Sequence, residues 1–308
     1  MRWIAKAAVL KALGALPQGE RLNYVLQRRV LRTLPLGDSE FLGKVERALQ
    51  HVDAFEQHGP KRPVGDVVFY EFGAGWDLVI PLTYRALGVR RQILVDIRPS
   101  VRLELVNDSL AKHARLRARI EEQFGRELAS LDDEPIREVA ELESRFGITY
   151  LAPCDARATR LPAESVDFVS STDTDEHIPE EDLLAIFSEC RRLLRVDGAL
   201  SCRIDMQDHY SYFDGSVSRY NFLRFSDRAW SAVNSPLHFQ NRLRYPDYVR
   251  LVREAGFEIV AERLSRPTAD DLAVLRELDL APRFRGYALE ELGVKTLGLV
   301  ARPLPDAA

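Results

Sequence analysis

Val67-Val68-Phe69-Tyr70-Glu71-Phe72-Gly73-Ala74-Gly75-Trp76-Asp77 is the stretch from which the fold of this 308-residue chain is read. Its first six residues are β-branched, aromatic or apolar with one acid, the composition of a buried strand. The two glycines that follow let backbone pass within contact distance of a ligand at the positive end of the helix predicted over 78–87. Strand, glycine turn and helix together predict a ligand over the carboxyl edge of a parallel sheet. Asp96 ends the next predicted strand, 92–96, twenty-one positions after Gly75, where an acid can accept hydrogen bonds from ribose hydroxyls. A nicotinamide dinucleotide would use the same parts. The third glycine of its fingerprint would fall at Leu78, so the packing beneath a diphosphate is not provided, and a single nucleoside fits better.

Outward from this stretch, short apolar runs alternate with helical ones, the pattern of βαβ units in a doubly wound α/β fold. Further strands are predicted at 148–152, 166–171, 199–205, 257–264 and 295–301. Pro179-Glu180-Glu181 opens a helix with an acidic first turn, and Leu183, Ile186, Phe187, Cys190 and Leu194 line one face of it. The charged stretch 108–146 reads as a solvated covering helix pair. Residues 1–62 alternate apolar and basic positions at helical spacing and are broken near Pro17 and Pro35. They are expected to form a helical cap on a catalytic domain spanning 63–308, with the boundary at the turn containing Pro60 and Pro63.

The chain is 46% hydrophobic and 29% charged, an ordinary globular composition, with a formal net charge of −4 that gives no overall attraction to phosphate backbones. Cys154, Cys190 and Cys202 lack the close spacing of a ligand pair and read as free thiols in a reducing cytoplasm. Lys6 and Lys11 interrupt the apolar start, which reads against a cleaved signal, and no run approaches the ~20 apolar residues of a membrane span.

Several landmarks occur in an order that resembles the class I S-adenosylmethionine-dependent methyltransferases. Glu71-Phe72-Gly73-Ala74-Gly75 is similar to their first motif, although Asp77 stands where a third glycine is frequent. Leu94-Val95-Asp96-Ile97 looks like their ribose-binding strand end. Cys154-Asp155-Ala156 resembles the acid after the third strand that contacts adenine. The run from Val166 to Ser171, then Asp175-Glu176-His177-Ile178, looks like the fourth strand and its "EH". Leu193-Leu194-Arg195-Val196-Asp197-Gly198 and Ala255-Gly256-Phe257 resemble the turns before strands five and six. The resemblance covers 64–301. It implies seven strands ordered 3-2-1-4-5-7-6 with the seventh antiparallel, S-adenosylmethionine as cofactor, and Glu71, Gly73, Gly75, Asp96, Asp155, Ala156 and Ser171 as its binding residues.

A sulfonium carries its own leaving group, so the protein must align an acceptor with the methyl carbon and exclude water. The ends of strands four and five bring forward Asp173, Asp175, His177, Asp205, Asp208 and His209. His209 is the preferred base for a hydroxyl acceptor, since imidazole titrates near neutrality and acids stand beside it; a loop histidine capping backbone or facing solvent is the alternative. Tyr210, Tyr212 and Arg219 are expected to line an acceptor pocket, with Arg242 among the polar groups, Asn241 and Arg244 included, that position acceptor oxygens. No metal site is expected, because the acids and His177 lack a recognisable ligand spacing. The leading function is methyl transfer to a small-molecule hydroxyl of a sugar, glycan precursor or secondary metabolite. The alternatives are a tRNA or protein methyltransferase, and a membrane-surface module in which Arg2, Lys6, Lys11, Arg21, Arg28, Arg29 and Arg32 lie on anionic lipid.

Overall fold

The computed structural model describes residues 2–31 and 33–305. Seven strands form one sheet: β1 Val68–Phe72, β2 Arg91–Val95, β3 Ile148–Leu151, β4 Val166–Thr172, β5 Leu194–Asp205, β6 Phe257–Leu264 and β7 Thr296–Pro303. Their order is β3-β2-β1-β4-β5-β7-β6. The first five pair in parallel, and β7 runs antiparallel between β5 and β6. The doubly wound sheet is therefore as expected, including the reversed seventh strand. The helices are α1 Arg2–Gly14, α2 Gly19–Val25, α3 Asp38–His58, α4 Val79–Ala86, α5 Leu103–Phe124, α6 Glu141–Phe146, α7 Glu180–Leu193, α8 Asp227–Val233, α9 Tyr245–Glu254, α10 Ala269–Glu277 and α11 Leu289–Leu292.

Both faces of the sheet are covered, which is why β1 and β4 are buried along nearly their whole length rather than at alternate positions. On one face α7 and α9 bury Leu183, Phe187, Cys190, Leu251 and Val252 against Tyr70, Val169 and Leu200. On the other, Ala48, Val52 and Phe55 of α3 pack on Phe69, Phe168 and Ala199. α3, which lies before the boundary expected at residue 63, thus packs as a layer on the sheet, and Pro60 and Pro63 follow its end at His58. The stretch 108–146 also differs from the expected helix pair, because Gly125 takes a left-handed φ of 64° at the end of α5 and an extended segment runs to α6.

α1 and α2 lie over the carboxyl edge of the sheet. Trp3, Ala7 and Leu10 of α1 are buried, with Trp3 against Tyr210 and Phe225. Tyr24 of α2 meets Trp76 of the glycine turn edge-on at 5.4 Å. Lys6 sits over the Phe213 ring and Lys11 donates to the Ser231 and Ala232 carbonyls, so two of the cations read as lipid-facing have partners within the chain. Arg32 lies outside the described residues. Among those described, no helix is long and apolar enough to cross a membrane. Cys190 and Cys202 are buried and free, and Cys154 is half-buried and free.

Candidate functional site

β1 ends at Phe72, and the chain then turns through Gly73 and Gly75, both in left-handed conformations with φ of 75° and 74°. The two glycines have different reasons. A Cβ on Gly73 would stand 2.4 Å from the Thr174 side chain, so this glycine admits Thr174 from the loop after β4; a Cβ on Gly75 would point into open space. Leu78, at the position of the missing dinucleotide glycine, is fully buried and also left-handed, with φ 52°. Asp77 is held by Lys44 of α3, whose Nζ donates to both carboxylate oxygens at 2.9 and 2.7 Å. Where the motif it resembles has a third glycine, this chain thus has an acid answered by a cation on α3, a helix expected in the cap.

Beside this turn a cavity of about 540 Å³ opens over the ends of β1, β2 and β4. Gly73, Asp96, Asp155, Ala156 and His177 line it, and Glu20 of α2 and Phe239 close its sides. Asp96 accepts a hydrogen bond from the Arg98 amide at 3.2 Å, and burial raises its carboxyl from the ordinary value. Asp155 is gripped by the Arg157 guanidinium, whose hydrogen bonds hold its carboxyl low. Glu71 lies beneath the turn, 4% exposed and not itself lining the cavity, with Oε2 lacking any hydrogen-bond partner, whereas the polar group of Ser171 is already engaged. Burial pushes its carboxyl up to about 8 against the opposing pull of Lys44.

This set of acceptors fits a nucleoside bearing an amino acid. Asp96 offers acceptors for sugar hydroxyls, and the orphaned Glu71 oxygen suits an ammonium group. The open face of Gly75 leaves room for a chain across the turn. Ser171, expected among the cofactor contacts, is placed elsewhere: it is fully buried, does not line the cavity, and donates its hydroxyl to Asp175 at 2.6 Å.

The acceptor candidates divide. His209 is buried at the end of a short loop after β5, its Nε2 3.6 Å from Asp205 Oδ2. Burial raises the Asp205 carboxyl, but hydrogen bonds and charge from His209, with Tyr212 and the Gln207 amide, outweigh it and bring it to about 2. The Tyr212 ring stacks on His209, its hydroxyl bonds to Asp205, and with Arg219 it lines a cleft of about 410 Å³. Tyr210 and Arg242 do not join them. Tyr210 is buried and donates to the Val233 carbonyl. Arg242 is buried and donates to the Phe222 and Phe225 carbonyls and to Asp227. Arg244 and Asn241 likewise satisfy backbone carbonyls. These groups hold the loops that form the site, because their hydroxyl, amide and terminal guanidinium donors are committed within the protein, although Arg242 Nε and Arg244 Nε have no partner. Asp208 has the same character, accepting from the Tyr210 amide and Asn221.

Two residues not picked as site candidates complete this end. Glu176 is 2% exposed with neither carboxylate oxygen hydrogen-bonded; burial, then the charges of Asp173, Asp205 and Asp175, drives its carboxyl well above the usual range. His238 packs with His209 and His177 at ring-centroid distances of 5.7 and 6.3 Å, and burial, followed by those imidazoles and Lys6, brings it to about 3. Glu176, His177 and His209 approach so closely that one ligand atom from each lies within 4.8 Å of the others. The absence of metal-ligand spacing had argued against such a group. It comes instead from two loops, after β4 and after β5, which only the sheet order makes neighbours.

Residues 114–202 match the family model described as a methyltransferase domain. No curated protein matches the chain. Among solved structures, it is similar to a candidate sarcosine dimethylglycine methyltransferase from Galdieria sulphuraria, with 17% identity over 85% of this chain and 86% of that one and a TM-score of 0.45. It is also similar to the [4+2]-cyclase SpnF, with 14% identity over 83% and 82% and a TM-score of 0.45. A geranyl diphosphate methyltransferase in complex with GPP and sinefungin shares 12% identity over 83% and 76%, with a TM-score of 0.43.

Proposed function

We propose that this class I S-adenosylmethionine-dependent methyltransferase acts on a hydroxyl of a small molecule, binding its cofactor across the Gly73–Gly75 turn. The class rests on the methyltransferase-domain match and the 3-2-1-4-5-7-6 sheet. The observation that carries the rest is a cavity that joins the hydrogen-bond acceptors Asp96 and Asp155 to the half-buried imidazole of His177, with His209 behind it at a ring-centroid distance of 5.0 Å.

In this reading Asp96 accepts from the ribose hydroxyls and Ala156 lies along the base. Glu71 takes the ammonium of the methionine. When bound, the cofactor supplies a methyl group already activated by the positive sulfur. The chain's own task is orientation and dryness: α1 and α2 roof the edge, and the loops fixed by Arg242 and Arg244 wall the acceptor. His209 Nε2 accepts the acceptor proton, and Asp205 keeps the resulting imidazolium favourable. Tyr212 and Arg219 line the way in from the neighbouring cleft.

The test is a mass-spectrometric screen of hydroxylated metabolites incubated with the chain and S-adenosylmethionine. A gain of one methyl group is expected on a sugar or secondary-metabolite hydroxyl. His209→Gln should lower its turnover about a hundredfold or more while leaving cofactor affinity intact. Methylation confined to RNA or protein, or full turnover in His209→Gln, would overturn this reading.

A further inference from the structure

We propose that Glu176, His177 and His209 bind one divalent transition-metal ion at the inner end of the cofactor cavity. Their ligand atoms fall within 4.8 Å of one another. Bonds of about 2.0–2.2 Å to nitrogen and oxygen require roughly 3–4 Å between ligands, so small side-chain rotations close the set.

Each ligand is prepared for an ion in its own way. The Phe239 carbonyl can only accept, so His177 Nδ1 donates to it at 2.6 Å and Nε2 keeps its lone pair. A backbone carbonyl behind one ring nitrogen is how metal-bound imidazoles are oriented. His209 Nε2 is buried with no partner at hydrogen-bond distance, Asp205 Oδ2 standing 3.6 Å away. Glu176 has two buried oxygens without a hydrogen-bond partner, so one of them is free to meet an ion. His238, with an unpartnered Nε2 of its own, stands close enough to support the site.

Two imidazoles and one carboxylate suit zinc or ferrous iron better than magnesium, and three ligands leave positions open for substrate. His177 belongs both to this set and to the wall of the cofactor cavity. An ion there would hold the acceptor hydroxyl and lower its pKa, its proton leaving to water. It thereby takes over the task assigned above to His209, whose Nε2 lone pair cannot both hold the ion and take a proton. This consequence rests on the acceptor reading; the metal site itself does not.

The experiment uses the full chain stripped by a chelator and titrated with Zn²⁺ by calorimetry and with Co²⁺ by visible absorption. One equivalent is expected, with the absorption of an imidazole-ligated ion. Glu176→Gln and His209→Asn, each checked for folding by circular dichroism, should each weaken binding about tenfold or more. If one fails to fold, the other carries the test. Asp96→Ala should keep full metal affinity even where cofactor binding is lost, so the two readings fail separately. A wild-type chain that takes up no ion, or folded variants that bind as it does, would overturn the site.

Discussion

Glu71 links the site to pH. Held up near 8 in the free protein, mainly by burial, it is largely protonated at pH 7. An ammonium placed beside it favours the carboxylate, so cofactor binding should release up to one proton and tighten as pH rises towards 8. Calorimetry in two buffers of unlike ionisation enthalpy measures this, and Glu71→Gln should abolish the release; a proton-neutral wild type would remove Glu71 from the cofactor. Leu78 poses a different balance. Its left-handed backbone costs about 1–2 kcal/mol, which Leu78→Gly would relieve. The same change removes a fully buried side chain, worth about 2–5 kcal/mol. Loss of packing outweighs relief of strain, so urea unfolding should show a net loss of stability, and a more stable variant would contradict this. Neither residue's state was legible locally: Leu78 was marked only as a missing glycine, and the depth of Glu71 depends on α3.

α3 is the element that the sequence placed before the boundary expected at residue 63, although it packs on the sheet, and the reason is physical. Two prolines near residue 60 mark a chain turn equally well whether a domain or a core helix ends there. Its apolar stripe, with Phe41, Val45, Leu49, Val52 and Phe55 buried, is the feature that discriminates. At about 1.5–3 kcal/mol each, these five side chains contribute as much as the whole stability of a typical domain. A chain beginning at residue 33 should therefore melt cooperatively, whereas one beginning at residue 63 should not. Thermal denaturation followed by circular dichroism separates them; cooperative melting of the shorter chain would uphold the boundary at 63. The strands were read well because buried parallel strands announce themselves as apolar runs, with the ends of β5 and β7 the main discrepancies.

At the scale of the whole molecule, strand order cannot be read from periodicity, and it entered only through resemblance to a family. That order is what carries Asp96, Asp155 and His177 to one cavity, so the grouping of Gly73, Asp96, Asp155 and Ala156 follows once it is assumed, whereas Glu71, Gly75 and Ser171 do not line that cavity. The histidine and carboxylate group was not, because Glu176 and His209 are thirty-three positions apart and meet only through the pairing of β4 with β5. Tyr210 and Arg242 misled for the same reason: sequence shows that an aromatic or a cation stands near a site, not whether backbone carbonyls already occupy its donors. The central claim is that a nucleoside lies over the Gly73–Gly75 turn with its sugar on Asp96. Calorimetric titration of the wild-type chain and Asp96→Ala with S-adenosylhomocysteine tests it most directly. One site is expected in the wild type, weakened roughly 10–100-fold by the loss of charge-assisted hydrogen bonds worth about 1.5–3 kcal/mol. No heat in the wild type, or equal affinity in both, would contradict it.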